Sequence, residues 1–282
     1  MPDSRCERGA IFAIGGREER LGRLEVLSRF VACCGGPTAR LLVLSTASRD
    51  PQQRIDEYEL AFRSLGVADI SCLHQEQRED ASEPGLLAAV DRADGVFFTG
   101  GNQLKLVYTI AGTPLESRLR ERHRSGLHLG GTSAGASAMS AVMIARGTGR
   151  SAARLSSVRM SPGLGFLPQV IVDQHFRERD RFGRLLAAVL CNPSMLGLGL
   201  DEDTAFALDA TDRLSVCGSG TLTIVDGSRL EATNIDNVPE NAPAAFAGMR
   251  MHVLSDGWSY DLIQRRVYKP VTPAVSSEPA AV

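Results

Sequence analysis

No apolar run in this chain reaches the ~18 residues that a membrane-spanning helix requires, and neither sign of charge dominates. With 31 basic and 33 acidic residues the formal net charge is −2. That supplies no electrostatic attraction to nucleic acid or to an anionic membrane, so neither is expected as a partner. The N-terminal residues MPDSRCERGAIFAIGG lack a basic segment followed by an apolar stretch and a small-residue cleavage site. A signal peptide is therefore not expected, and a cytoplasmic protein is. The six cysteines form no C-x-x-C pair and no metal-ligand rhythm with the five histidines. This argues for reduced, mostly buried thiols and against a metal centre or cofactor.

What is present is ordinary globular composition, 43% hydrophobic and 23% charged over 282 residues. A chain of this length buries roughly three quarters of its unfolded surface and needs no staples. Short apolar runs predict strands at Ile11–Ile14, 41–45, 70–73, 96–99, 127–131, Val170–Asp173 and Leu196–Leu200. Helical patterns lie between them, at 21–33, 54–65, 85–92, 104–110, Pro114–Arg124, 134–144 and 177–190. Such alternation predicts an α/β fold, a mostly parallel sheet with helices on both faces. After about residue 204 the pattern changes. Alternating runs at 221–225 and 251–254, with the pairs Asp226-Gly227 and Asp256-Gly257, are hairpin signals and predict an antiparallel C-terminal extension. A single domain is expected over 1–269, followed by an unstructured tail over 270–282.

The strongest local signal is Gly131-Thr-Ser133-Ala-Gly135, entered from an apolar strand and left by a run of small residues. This is the strand–turn–helix setting of a nucleophile elbow, in which a sharp turn lifts the serine hydroxyl above the sheet. A serine needs a base, and His175 closes an apolar strand in the polar triplet Asp173-Gln174-His175, where active sites form in α/β folds. The acid that orients the imidazole is expected among Asp201, Glu202 and Asp203, which end the next strand. Residue spacing leaves that choice open. The Ser, His, acid order differs from the Ser, acid, His order of α/β-hydrolases.

Two further segments bear on the substrate. Phe97-Phe-Thr-Gly-Gly-Asn-Gln103 ends a strand in a glycine pair, and the amides of Gly101 and Ala134 are candidates for an oxyanion hole. Gln103 is expected to point into the cleft. Arg177, Arg181 and Arg184 fall on one helical face with Arg179 nearby, and arginine grips carboxylates with two parallel hydrogen bonds, so an acidic substrate is expected.

Together, FFTGGNQ (97–103), GTSAGASAMS (131–140), PGLG (162–165), DQHFRERDRFGRL (173–185) and LGLGLDEDTA (196–205) resemble the cyanophycinases, part of a serine peptidase group that includes peptidase E. The resemblance spans roughly residues 9 to 227. It implies a class I glutamine-amidotransferase-like fold and an exopeptidase that needs no metal. The implied substrate is cyanophycin, a poly-aspartate backbone bearing arginine branches, and the implied product is the β-Asp-Arg dipeptide. A homodimer is also implied. Carried over by position, Ser133 would be the nucleophile, His175 the base and Glu202 the third member. Gln103, Asp173, Gln174, Arg179, Arg181 and Arg184 would build the substrate pocket. The glycine pair Gly15-Gly16 is followed by Arg17-Glu18-Glu19 rather than by a small residue and an acidic pair, a departure that bears on the pocket floor. A peptidase E-like enzyme acting on α-Asp-X peptides, and a catalytically silent binding protein on the same fold, are the alternatives.

Overall fold

The computed structural model describes residues 8–149 and 152–270. Strand and helix alternate through β1 (Ile11–Ile14), α1 (Glu25–Cys33), β2 (Arg40–Leu44), α2 (Pro51–Ser64), β3 (Asp69–Leu73), α3 (Pro84–Arg92), β4 (Gly95–Phe98), α4 (Gln103–Ile110), α5 (Pro114–Arg124) and β5 (His128–Thr132). Then follow α6 (Ala134–Ala138), β6 (Val142–Gly147), β7 (Val158–Pro162), β8 (Val170–Asp173), α7 (Phe182–Cys191), β9 (Leu196–Leu200), β10 (Thr204–Leu208), β11 (Arg213–Gly218) and β12 (Leu222–Asp226). The last strands are β13 (Ala232–Thr233), β14 (Phe246–Ala247), β15 (Arg250–Leu254), β16 (Ser259–Asp261) and β17 (Arg266–Tyr268). Local chemistry sets several starts. Pro51 opens α2, and Thr113 caps the Glu116 amide ahead of Pro114 in α5.

Nine strands form the main sheet in the order β17-β16-β11-β10-β1-β5-β4-β2-β3. From β1 to β3 the pairs are parallel, and from β1 outward through β10 they are antiparallel. Side chains alternate across it. Phe12, Ile14, Leu41, Val43 and Phe97 join α1 and α2, whereas Ile11, Ala13, Leu42, Leu44, Val96 and Phe98 join α3 to α6. A second sheet, β15-β12-β9-β8, adds Val172, Leu198, Leu200 and Ile224 to that latter core. Its far face, through Ile171 and Val225, packs on α7.

Four sequence expectations are corrected. The expected antiparallel C-terminal extension is present as β10, β11, β16 and β17 and makes the main sheet mixed rather than mostly parallel, but β8 and β9 belong to the second sheet; being buried on both faces, they carry the same unbroken apolar pattern as main-sheet strands. The helix expected over 134–144 stops at Ala138, because residue 140 bridges to Leu167 and its hydroxyl takes the Val172 amide at 3.1 Å. Val142-Met-Ile then runs on as β6. The helix expected from 177 begins at Phe182, since Asp180, inside the expected span, has φ +47°, which a right-handed helix cannot accommodate. Neither Asp226-Gly227 nor Asp256-Gly257 closes a hairpin: β12 pairs with β9 and β15 rather than with β13, and β15 and β16 lie in different sheets.

Of the thiols, Cys34 and Cys217 are buried, whereas Cys33 and Cys191 are exposed, so the expected burial holds only in part. The tail beyond residue 270 lies outside the described residues. Among the described residues no helix is long and apolar enough to cross a membrane, and no group of His, Cys, Asp and Glu could hold a metal ion.

Candidate active site

β5 ends beside β1, and the chain turns sharply at Ser133, whose φ of 51° and ψ of −107° place it off the regions that ordinary residues occupy. The Ser133 amide donates to the Ile14 carbonyl at 2.9 Å, fixing the turn to β1. His175 arrives from the second sheet and donates its own amide to the Gly15 carbonyl at 2.8 Å. Gly16, at φ +100°, lies against the imidazole. A Cβ there would sit 2.4 Å from His175 Cε1, so only glycine leaves room for the ring.

These contacts assemble a relay. Ser133 Oγ lies 3.0 Å from His175 Nε2, and His175 Nδ1 lies 2.7 Å from Glu202 Oε1. The carboxylate assigns the Nδ1 proton, which leaves the Nε2 lone pair facing the serine. The Ser133 hydroxyl has a second acceptor in Gln174 Oε1 at 3.3 Å. Burial holds His175 below the ordinary imidazole pKa, against the upward pull of the Glu202 hydrogen bond, and Arg179 adds to the depression. A neutral imidazole at neutral pH is the form that can take a proton.

The neighbouring acids are engaged elsewhere. Asp201 accepts from the Thr221 amide and hydroxyl at 3.0 and 2.7 Å, and Asp203 from the Glu19 amide and Ser219 hydroxyl at 3.0 and 2.8 Å. β9 ends at Leu200, so these three residues form a turn in which spacing along a strand no longer applies.

Gly100 lies against Ser133, its missing Cβ falling 3.4 Å from Ser133 Cβ. Gly101, at φ +148°, approaches the Ala47 carbonyl so closely that a Cβ would overlap it. Ala134 opens α6, where the first amides of a helix have no intrahelical acceptor. Gln103 spends its amide group on the Ile144 and Ala145 carbonyls at 3.1 and 3.0 Å while still lining the cleft.

Asp173, Arg181 and Arg184 are found together, but not in the cleft. Asp173 is 1% exposed, with Arg184 Nε at 2.7 Å and Arg181 Nη1 at 3.4 Å. Arg181 also donates to the Gln174 carbonyl and Arg184 to the Gly147 carbonyl. Burial brings the Arg181 guanidinium down to about 10. In this arrangement the three are committed to one another, and none of them lines the cleft beside Ser133. Arg179 is exposed and Arg177 lies outside the helix, so the expected one-faced arginine stripe is absent. Asp173→Asn leaves two buried guanidinium groups short of charge. It is expected to cost about 3–5 kcal/mol, read from urea unfolding; a loss below about 1 kcal/mol would contradict the buried pairing.

The serine opens onto a cleft of about 750 Å³. Arg17, Arg20, Arg49, Arg54 and Arg146 line it, against the acids Glu18 and Asp50. Arg17 is marked in the sequence by its place after the Gly15-Gly16 pair; the other four are scattered through the sequence and carried no local signal. Glu18, 2% exposed, accepts from the hydroxyls of Tyr58 and, at 2.7 Å, Thr132, and burial raises its carboxyl pKa. Arg17 reaches the free oxygen of Glu202 at 3.4 Å, an exposed and weak pair.

Residues 11–215 match the model of peptidase family S51. Two cyanophycinases are similar over nearly the whole chain. That of Geminocystis herdmanii is 38% identical, over 95% of this chain and 98% of the relative. That of Synechococcus elongatus is 39% identical, over 95% and 84% respectively. Among solved structures, a peptidase from an acI-B1 Actinobacterium superposes with a TM-score of 0.66 at 24% identity, over 91% of this chain and 98% of that one. A putative peptidase E from Listeria monocytogenes gives 0.53 at 14% identity, over 76% and 100%. Both share the α/β peptidase fold. With the family model spanning β1 to β11 and the relatives matched almost end to end, the chain belongs to peptidase family S51 and is a serine-type peptidase.

Proposed function

We propose that this enzyme hydrolyses cyanophycin to β-Asp-Arg dipeptides, with Ser133 as nucleophile, His175 as general base and Glu202 as the orienting acid. The observation that carries the reading is the Ser133–His175–Glu202 relay at the mouth of an arginine-lined cleft. The relatives named cyanophycinase support the choice of polymer. A class I glutamine-amidotransferase-like fold and a homodimer, both implied by the family resemblance, belong to the same proposal.

In this mechanism Ser133 Oγ attacks a backbone carbonyl carbon while its proton passes to His175 Nε2. Glu202 holds the ring and stabilises the imidazolium. The amides of Gly101 and Ala134 receive the developing oxyanion. Collapse expels the amine, which takes the proton back from Nε2, and leaves an acyl ester on Ser133. Water, deprotonated by the same nitrogen, then frees the enzyme.

Purified protein incubated with insoluble cyanophycin is expected to clear the suspension and to yield β-Asp-Arg by mass. An uncleared suspension, with Ser133 still labelled by a sulfonyl fluoride, would mean that the substrate is another peptide. Hydrolysis of α-Asp-X dipeptides would then identify it.

A further inference from the structure

Of the five cleft arginines, three have acidic company. Arg20 and Arg54 share Glu57 at 3.0 and 2.6 Å, and Arg17 reaches Glu202. Arg49 and Arg146 are exposed, and their guanidinium groups have no ion pair or hydrogen bond with any described residue. They come from separate elements, Arg49 from the β2–α2 loop and Arg146 from β6. Two uncompensated guanidinium groups in one cleft raise its positive potential and present planar forks suited to carboxylates.

Their placement is built. The β6–β7 register slips between Ile144 and Arg146, and a bulge of this kind redirects the side chains beside it. The Gln103 amide donates to the carbonyls of Ile144 and Ala145, the residues at that slip. One residue earlier, the Asn102 amide donates to Ala47 at 2.8 Å, and Gly101 packs on the same carbonyl, which fixes the loop carrying Arg49. Gly100 meanwhile touches Ser133. A single four-residue turn thus ties the nucleophile to both free cations.

We propose that Arg49 and Arg146 form a two-point carboxylate clamp, and that the turn over 100–103 holds it in register with Ser133. The inference rests on the cyanophycin reading, in which each arginine branch keeps a free α-carboxylate. Gln103 acts in it as a positioning residue for Arg146.

The test is steady-state hydrolysis of a soluble trimer of β-Asp-Arg and of its counterpart with the arginyl carboxylates amidated. Arg49→Ala and Arg146→Ala are each expected to raise KM for the free acid roughly 10- to 100-fold, the loss of one charge-assisted contact. Their kcat should stay within about threefold of wild type, because ground-state and transition-state binding fall together. Sulfonyl fluoride labelling of Ser133 should proceed at the wild-type rate. The amidated trimer should cost the wild type what the variants lose on the free acid. Gln103→Ala should raise KM as Arg146→Ala does, and add little when combined with it. If the wild type cleaves the free acid and both arginine variants match its KM, the clamp is wrong and the function stands. Equal use of the two trimers by the wild type overturns the clamp as well. A wild type that spares the free-acid trimer removes the substrate reading and the clamp with it.

Discussion

Ser133→Ala is expected to lower kcat on cyanophycin by about 10⁵- to 10⁶-fold, to a residue supported by binding and the oxyanion donors alone. Stability should scarcely change. The hydroxyl contributes one hydrogen bond with His175 at 3.0 Å, worth about 1 kcal/mol, so the melting temperature should fall by about 2–4 °C at most. The turn itself is held by the backbone, through the Ser133 amide and Ile14, and survives the substitution. A folded variant that keeps a tenth of the wild-type rate would sink the nucleophile assignment. An inactive variant that melts far lower would show only that residue 133 is needed to fold.

Glu202→Gln is expected to cost about 10³- to 10⁴-fold in kcat with little loss of stability. The amide cannot stabilise an imidazolium, and its NH₂ can turn toward Nδ1 and force the proton onto Nε2, the tautomer that cannot act as base. The pH profile supplies an independent sign. His175 must be neutral to work, and burial already depresses its pKa, so the acid limb of kcat/KM should lie below the ordinary imidazole range. Glu202 is what pulls that pKa upward, so its removal should shift the residual limb to still lower pH. Asp203→Asn should keep most of the rate, since Asp203 serves Glu19 and Ser219 instead. A limb that moves upward in Glu202→Gln, or a larger loss in Asp203→Asn, would reassign the acid.

Much of the relay was legible because its signals are local. Gly131-Thr-Ser-Ala-Gly135 between a strand and small residues requires an elbow, and a polar triplet closing an apolar strand marks His175. The family resemblance pointed to Glu202, which spacing left open, and the structure gives the physical reason for the contact: residues 201–203 form a turn, and only the middle one faces the ring. The second sheet was not legible, because an apolar run says that a strand is buried and not which sheet buries it. The arginine stripe failed for a backbone reason. Residue 180 adopts a positive φ, an outcome that no composition in Arg-Glu-Arg-Asp-Arg announces. The cleft cations were invisible for the opposite reason. Arg49 and Arg146 lie far apart in sequence and meet only when the loops are folded.

The pairing of β1 with β10 sets an order in time. Ile14 faces Ala205, and Gly16 accepts the Asp203 amide at 2.9 Å, so the first loop of the chain is completed by residues almost two hundred positions later. Closures of such span come late in folding, after the local units have formed. Until residue 202 is docked, the His175 ring beside Ser133 lacks its Glu202 contact. On the proposed mechanism a partly folded chain therefore carries the elbow before it can hydrolyse, and competence is expected only once the main sheet has closed across β1.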